Sequence, residues 1–161
     1  MTASVTRRYH FAASHRLHAA TLSDAENSRL YGKCNNPFGH GHNYALSITV
    51  AGPIDEKTGL VMRPADLDAL MSEQVVGRFA HRSFNLDVPE FAALVPTTEN
   101  IALVVAQLLN EHWRAYIGSE AVRLTRVHIQ ETDRNSVELK LPLRTSIIKK
   151  QESNESVIVH A

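Results

Sequence analysis

The sequence predicts an α+β domain in which two helices cover one face of a four-stranded antiparallel sheet. Three observations favour this class. Strand-like alternation occupies both ends of the chain, two segments with helical spacing lie between them, and turn residues separate the segments, so the element order is ββααββ. A chain of 161 residues with 43% hydrophobic content suits one domain with its own core. We expect that domain at residues 1–143, followed by a polar C-terminal tail at 144–161.

Alternating apolar residues predict the first two strands. The first runs over residues 4–15 and ends at His15, with Tyr9, Phe11 and Ala13 on the same side. A polar, glycine-containing segment at 18–41 predicts a long loop, and such loops are usually functional. A second strand then follows, whose residues on one side are His42, Tyr44, Leu46, Ile48 and Val50.

Helical spacing and turn residues predict the remaining elements. The first helix should begin at Pro64, and its apolar stripe comprises Leu67, Leu70, Met71 and Val75. The second should begin within P-T-T-E-N (96–100), where a threonine can cap it, and its stripe comprises Ile101, Val104, Val105, Leu108 and Leu109. Strands at 122–131 and 136–141 complete the sheet, joined by a D-R-N turn.

Charge and cysteine content restrict the function and the compartment. The formal net charge is zero and the pI is near 7.1, so general nucleic-acid binding and membrane-surface binding are not expected. The single cysteine cannot form an internal disulfide, which favours a reducing compartment. No signal-peptide pattern and no apolar run of membrane-spanning length occurs, so we expect a cytoplasmic protein.

The stretch Y-G-K-C-N-N-P-F-G-H-G-H-N-Y (31–44) is the strongest functional signal. His40 and His42 are two residues apart, so an extended chain presents both imidazoles on one side. His15, at the end of the first predicted strand, could complete a three-nitrogen zinc site with an open fourth position, which is typical of catalytic zinc. An isolated H-x-H pair binds no metal in most proteins, although the surrounding glycines and Cys34 favour a site here. Spacing leaves Cys34 open as a small buried residue or as a fourth ligand that would close the site.

Five collinear blocks resemble the 6-pyruvoyl-tetrahydropterin synthase family, within the group that also contains 6-carboxy-tetrahydropterin synthase. They are F-A-A-S-H-R-L (11–17), the 31–44 stretch, L-D-V-P-E-F (86–91), P-T-T-E-N (96–100) and Q-E-T-D-R-N-S (130–136). The resemblance implies the tunnelling fold (T-fold), in which three subunits close their sheets into a barrel and two trimers usually stack into a hexamer.

The resemblance also implies site residues and a reaction. By analogy, zinc is bound by His15, His40 and His42, Cys34 is the catalytic base and His81 is a proton shuttle. Glu131 would hold the pterin ring, and Thr97 and Thr98 would line the same pocket. The substrate would be 7,8-dihydroneopterin triphosphate, which would lose triphosphate to give the pyruvoyl product. Candidate cations for the triphosphate are Arg16, Arg29, Lys33 and Arg82.

Two features bear on which activity the resemblance implies. The family normally has an aspartate before the shuttle histidine, whereas this chain has Ala80 before His81, so a catalytically weakened pterin-binding homologue is one alternative. Five residues separate Cys34 from His40, as in the pyruvoyl-forming enzymes. The carboxy-forming relatives, which are the other alternative, typically have three residues between the cysteine and the H-x-H pair. The spacing therefore favours the pyruvoyl product.

Overall fold

The computed structural model describes residues 1–142, and the predicted tail at 144–161 lies outside the described residues. Four strands form one antiparallel sheet in sequential order, as predicted. The strands are β1 (Thr2–His15), β2 (His40–Pro53), β3 (Arg123–Thr132) and β4 (Asn135–Lys140). β1 begins two residues before its predicted start at residue 4, and β2 extends beyond the predicted 42–50 by two residues at its start and three at its end.

In the described part of the chain, five α-helices connect or cover these strands: α1 (Asp24–Tyr31), α2 (Pro64–Met71), α3 (Gly77–Phe79), α4 (Phe84–Asp87) and α5 (Thr98–Ile117). A π-helical segment (Ser72–Val76) joins α2 to α3, so the two form one interrupted helix that begins at Pro64 as predicted. Helix α5 is capped by Thr97, whose hydroxyl accepts a hydrogen bond from the Asn100 N–H at 3.3 Å. The predicted order ββααββ is therefore confirmed, with smaller helices added to it.

The hydrophobic core lies between the sheet and helices α2 and α5. On β2 the predicted inward residues Tyr44, Leu46, Ile48 and Val50 are fully buried, because alternation sends every second side chain to the helix-covered face. All the apolar residues predicted for the two helix stripes are buried as well. No helix within residues 1–142 combines the length and the apolar character needed to cross a membrane.

The predicted loop at 18–41 is wrong in part, because it contains helix α1 and a 3₁₀ turn (Gly32–Asn35). The helix begins with a capping box. The Ser23 hydroxyl accepts a hydrogen bond from the Glu26 N–H, and the Glu26 carboxylate accepts one from the Ser23 N–H. This S-x-x-E signal is visible in the sequence, but α1 buries only Asn27 and so lacks the apolar stripe that reveals a helix.

The register of β1 against β2 decides where the functional residues meet. His15 lies directly opposite His40, and Ala13 lies opposite His42. Because directly opposite residues of an antiparallel pair have neighbouring side chains, the register alone brings two distant histidines together at one end of the sheet. The end of β3 reaches the same region and carries Glu131.

Candidate metal centre and its surroundings

His15, His40 and His42 form a compact cluster at the end of the sheet. The Nε2 atoms of His15 and His40 are 3.2 Å apart, and the candidate ligand atoms of the three residues all lie within 4.8 Å of one another. Two nitrogens bound to one tetrahedral zinc ion at about 2.0–2.1 Å lie about 3.3 Å apart. The His15–His40 distance therefore suits two ligands of one ion.

Hydrogen bonding leaves nitrogen lone pairs of this cluster available. The His15 Nδ1–H donates to the Pro96 carbonyl at 2.8 Å, so in the neutral ring the lone pair is on Nε2, which faces His40. His40 Nδ1 and His42 Nε2 are buried and have no hydrogen-bond partner within the described part of the chain. Buried polar atoms rarely remain unpaired, so His42 Nε2 indicates a group that the protein is built to bind. His40 Nδ1 is on the opposite side of its ring from the Nε2 atom that faces His15.

Burial also keeps two of these rings neutral. Desolvation lowers the pKa of His15, whose side chain is almost inaccessible, and burial together with the charge of His42 lowers the pKa of His40. A neutral imidazole is the form that binds a metal ion. The chemistry of the donor set, three imidazole nitrogens, therefore fits a divalent ion such as zinc.

Glu131 lies beside the cluster, at the end of β3. Its Oε1 atom is 3.6 Å from His15 Nε2 and 3.9 Å from His42 Nε2, and its side chain is 11% exposed. Its other oxygen, Oε2, accepts a hydrogen bond from the Asn135 amide at 2.8 Å, and the same amide donates to the Thr98 hydroxyl at 3.2 Å. Asn135 thus links Glu131 to the first residue of α5.

Cys34 lies in the 3₁₀ turn, is partly buried and has a free thiol. It is not one of the three residues whose ligand atoms cluster within 4.8 Å. Burial, and then the charge of Glu131, raise the pKa of the Cys34 thiol, so the protein without a metal disfavours the thiolate. A thiolate at Cys34 therefore depends on a bound cation.

His81 lies between α3 and α4 with φ of 61°, a left-handed conformation that few residues other than glycine adopt. Its N–H donates to the Ala12 carbonyl at 2.7 Å, which attaches this segment to β1. Its exposed side chain lines an open cavity of about 640 Å³ together with His42, Arg82 and Asp87. Ala80, directly before His81, has a methyl side chain and can supply no hydrogen bond.

The structure separates the other candidate residues by their contacts. Thr97 caps α5, whereas Thr98 is buried and hydrogen-bonded to Asn135. Of the candidate phosphate-binding cations, Arg82 lines the cavity beside His81, and the Arg16 Nε–H donates to the Asn35 carbonyl at 3.1 Å. Arg29 belongs to α1, and Lys33 belongs to the turn that carries Cys34.

Three residues near the cluster were not predicted to be part of the site: Tyr44, Pro96 and Asn135. Tyr44 appeared only as a core residue of β2, although its hydroxyl lies 3.5 Å from His15 Nδ1. Burial raises the pKa of Tyr44 and keeps its hydroxyl protonated. Pro96 acts through its backbone carbonyl, which side-chain patterns cannot reveal. Asn135 falls inside the 130–136 block, but no spacing rule connects it to Glu131.

Comparison with known proteins places the chain in a family. Residues 4–141 match the family model described as 6-pyruvoyl tetrahydropterin synthase. The 6-pyruvoyl tetrahydrobiopterin synthase of Homo sapiens is 46% identical over 138 residues, covering 86% of this chain and 91% of that protein. The protein of that name from Drosophila melanogaster is 40% identical over 140 residues, covering 87% of this chain and 80% of its own length.

A solved structure supports the same grouping. The structure of Caenorhabditis elegans 6-pyruvoyl tetrahydropterin synthase superposes with a TM-score of 0.79 at 36% sequence identity, covering 88% of this chain and 97% of that one. The sheet, the helices and their order described above are therefore those of the T-fold. The chain belongs to the 6-pyruvoyl tetrahydropterin synthase family.

Proposed function

We propose that this protein is a zinc-dependent lyase that converts 7,8-dihydroneopterin triphosphate into 6-pyruvoyl-tetrahydropterin and releases triphosphate. The observation that carries the proposal is the cluster of His15, His40 and His42. Within residues 1–142, two of its buried nitrogens have no hydrogen-bond partner, and the cluster occurs in a chain of this family. The names of the relatives, which are 36–46% identical in the cases described above, support the pyruvoyl product.

The three histidines would bind the metal. His15 is the best oriented of them, because its hydrogen bond to the Pro96 carbonyl fixes the ring and leaves Nε2 for the ion. When bound there, zinc would supply Lewis-acid stabilisation of the negative charge that develops on the substrate's vicinal diol. Three neutral ligands would leave the full charge of the ion available for this task.

Cys34 would remove a carbon-bound proton of the substrate side chain. Its partly buried position and the nearby Glu131 raise the thiol pKa, so the positive charge of the loaded site would be needed to favour the thiolate. The requirement couples the base to the metal, because a protein without the ion would keep its thiol protonated and inactive.

His81 would return or relay protons, since an imidazole nitrogen can both accept and donate a proton. The backbone of His81 is fixed by its hydrogen bond to Ala12, but Ala80 offers no carboxylate to orient the imidazole or to stabilise its charged form. We therefore infer slower proton transfer than a D-H pair would give.

Glu131 would anchor the pterin by accepting two parallel hydrogen bonds from its guanidine-like edge. Carboxylate oxygens have two lone pairs each, so Oε2 can still accept from a ligand while it accepts from Asn135. Thr97 and Thr98, at the start of α5, would line the same pocket; the bond from Asn135 to Thr98 supports a location close to Glu131.

The overall reaction needs no external redox partner. The two hydroxyl-bearing carbons of the side chain would be oxidised to carbonyls while the pterin ring gains two hydrogens at its N5–C6 bond. The terminal carbon would lose triphosphate and end as a methyl group. Arg82, beside His81 in the open cavity, is the candidate cation nearest to the proposed proton shuttle for holding the leaving group.

We also propose that the protein acts in the cytoplasm as a trimer or a dimer of trimers. Strands β1 and β4 form the two edges of the sheet, and unpaired edges favour association with further strands. A catalytic thiol that must stay reduced favours a reducing compartment. Light scattering coupled to size-exclusion chromatography would measure the mass, and a monomer would contradict the assembly.

The decisive experiment is incubation of the zinc-loaded protein with 7,8-dihydroneopterin triphosphate, followed by identification of the products by mass spectrometry. We expect triphosphate and the pyruvoyl pterin. Cys34→Ala should keep its zinc but lose about 10²- to 10⁴-fold in rate, the usual contribution of a general base. Loss of zinc in that variant would instead make Cys34 a ligand.

Two other outcomes would replace the proposal. A carboxylated pterin with acetaldehyde would assign the protein to the carboxy-forming branch. Tight binding of the pterin without turnover at saturating zinc would identify a binding homologue, the alternative that Ala80 favours. In that case Ala80→Asp should also show no turnover, whereas a weakened enzyme should gain rate from it.

A further inference from the structure

Arg16 and Leu17 follow β1, and the N–H and carbonyl groups of both residues form hydrogen bonds to partners outside the strands. The Arg16 N–H donates to Asn85 Oδ1 at 2.7 Å, and Asn85 Nδ2 donates to the Arg16 carbonyl at 3.0 Å. The Leu17 N–H donates to the Cys34 carbonyl at 2.8 Å, and Asn35 Nδ2 donates to the Leu17 carbonyl at 2.7 Å. The Asn85 amide thus acts as a strand partner for Arg16.

Asn85 also continues a series of contacts along the edge of β1. The His81 N–H donates to the Ala12 carbonyl at 2.7 Å, and the Ser14 N–H donates to the Arg82 carbonyl at 2.9 Å. Contacts therefore occur at residues 12 and 14 of β1 and at residue 16 just after it, every second residue, as expected along an edge strand. The first two come from the backbone of the His81 segment, and the third comes from the Asn85 side chain.

These contacts connect two separate groups of the proposed site. On one side, Arg16 and the next residue, Leu17, contact the turn that carries Cys34. The Leu17 N–H donates to the Cys34 carbonyl, and the Arg16 Nε–H donates to the Asn35 carbonyl. On the other side, Asn85 belongs to α4, which begins three residues after His81. Moving α4 relative to β1 would therefore shift both the thiol and the imidazole relative to the metal ligand His15.

We propose that Asn85 is a positioning residue that fixes Cys34 and His81 relative to the histidine cluster, an inference that rests on the proposed function. His81 is held at φ of 61°, a conformation that persists only where surrounding contacts impose it. Ala80 has no polar side-chain group that could orient His81. The hydrogen bonds at Ala12, Ser14 and Arg16 therefore hold the segment that carries His81 in place.

The test compares Asn85→Ala and Asn85→Asp with the unaltered zinc-loaded protein. Aspartate keeps an acceptor for the shorter bond, from the Arg16 N–H, but loses the donor to the Arg16 carbonyl. We expect Asn85→Ala to lower kcat about 10- to 100-fold, as small misplacements of reacting groups do, with KM and zinc content unchanged. Asn85→Asp should recover a large part of kcat.

A second readout does not depend on turnover. Iodoacetamide alkylation of Cys34 should be faster in Asn85→Ala, on the order of tenfold, because the hydrogen bonds that hold the turn against Leu17 open more often. This measurement separates the two proposals. Faster alkylation in a protein that never forms product would retain the positioning role and refute the proposed reaction.

Asn27→Ala is the matched control. Asn27 is fully buried and makes hydrogen bonds to Ala19, Leu22 and Ser23, but none to Arg16, Leu17 or Cys34. Its replacement should lower the melting temperature without changing kcat or Cys34 alkylation. If kcat and alkylation in Asn85→Ala stay within twofold of the unaltered protein, or if Asn27→Ala reproduces both changes, Asn85 has no positioning role.

Discussion

Two polar clusters of the same sheet differ in whether their polar side-chain atoms all have hydrogen-bond partners. On the face opposite the helices, Thr6 and Thr49 share a hydroxyl–hydroxyl bond of 2.8 Å, and Arg126 Nε donates to the Thr49 hydroxyl at 3.0 Å. Arg126 also donates to Glu138 at 3.2 Å, so one row of side chains joins all four strands. We call this set Thr6, Thr49, Arg126 and Glu138 the polar ladder.

The histidine cluster lies at the end of the sheet, on the helix-covered face, and is incomplete by itself. His15 has a partner for Nδ1, but His40 Nδ1 and His42 Nε2 are buried without one among the residues described. Buried polar groups without partners cost stability, whereas the ladder satisfies its own members. The contrast teaches that a polar cluster is a candidate site when its own residues leave buried atoms unsatisfied.

The largest effect should come from removing one ligand of the cluster. We expect His40→Ala to lose bound zinc on dialysis and to lower the rate of product formation about 10³-fold, since Lewis-acid stabilisation contributes several kcal/mol. Stability without metal should fall by about 1 kcal/mol, because the substitution removes the contact of His40 Nε2 with His15 Nε2 at 3.2 Å. Atomic absorption measures the zinc content, and the midpoint of thermal unfolding measures the stability of the metal-free protein. Retention of one zinc per chain would contradict the ligand assignment.

Introducing a carboxylate beside His81, the proposed proton shuttle, should have a smaller effect of the opposite sign. Ala80→Asp supplies a group that can orient the His81 ring and stabilise its charged form, so we expect kcat to rise about tenfold, from a gain of one charge-assisted hydrogen bond. Steady-state kinetics with dihydroneopterin triphosphate measure it. Ala80→Asn, which cannot stabilise the charge, is the control and should gain less.

The polar ladder should respond only through stability. Thr49→Val removes the hydroxyl shared by Thr6 and Arg126, so we expect a loss of about 1 kcal/mol in the free energy of unfolding. Zinc content and kcat should be unchanged, because the ladder is complete without a ligand. Urea denaturation checks the stability, and a loss of zinc in this variant would remove the distinction between the two clusters.

The smallest effect concerns the Cys34 thiol in metal-free protein. Burial and the Glu131 charge raise its pKa, so alkylation by iodoacetamide should increase with pH over a range above that of an ordinary cysteine. Glu131→Gln removes the second cause and should move the profile to lower pH by part of the difference. A profile unchanged by this substitution would show that burial alone sets the thiol pKa.

Most of the fold could be predicted because the spacing of apolar residues along the chain shows which side chains are buried. The four strands, the start of the first long helix at Pro64 and the capping of α5 by Thr97 are confirmed. Helix α1 was missed because Asn27 is its only buried residue, and α4 was missed because four residues are too few to show a period.

The chemistry available to this protein can be read from its residues alone: three imidazoles, one thiol and a carboxylate within recognisable blocks. The tertiary structure decided their relations. It placed His15 opposite His40 and brought Glu131 within 4 Å of the Nε2 atoms of His15 and His42. It also used the side chains of Asn35, Asn85 and Asn135 to hold neighbouring groups in place. The physical reason is that periodicity encodes which side chains are buried, whereas strand register and single amide hydrogen bonds between distant segments exist only once the chain has folded.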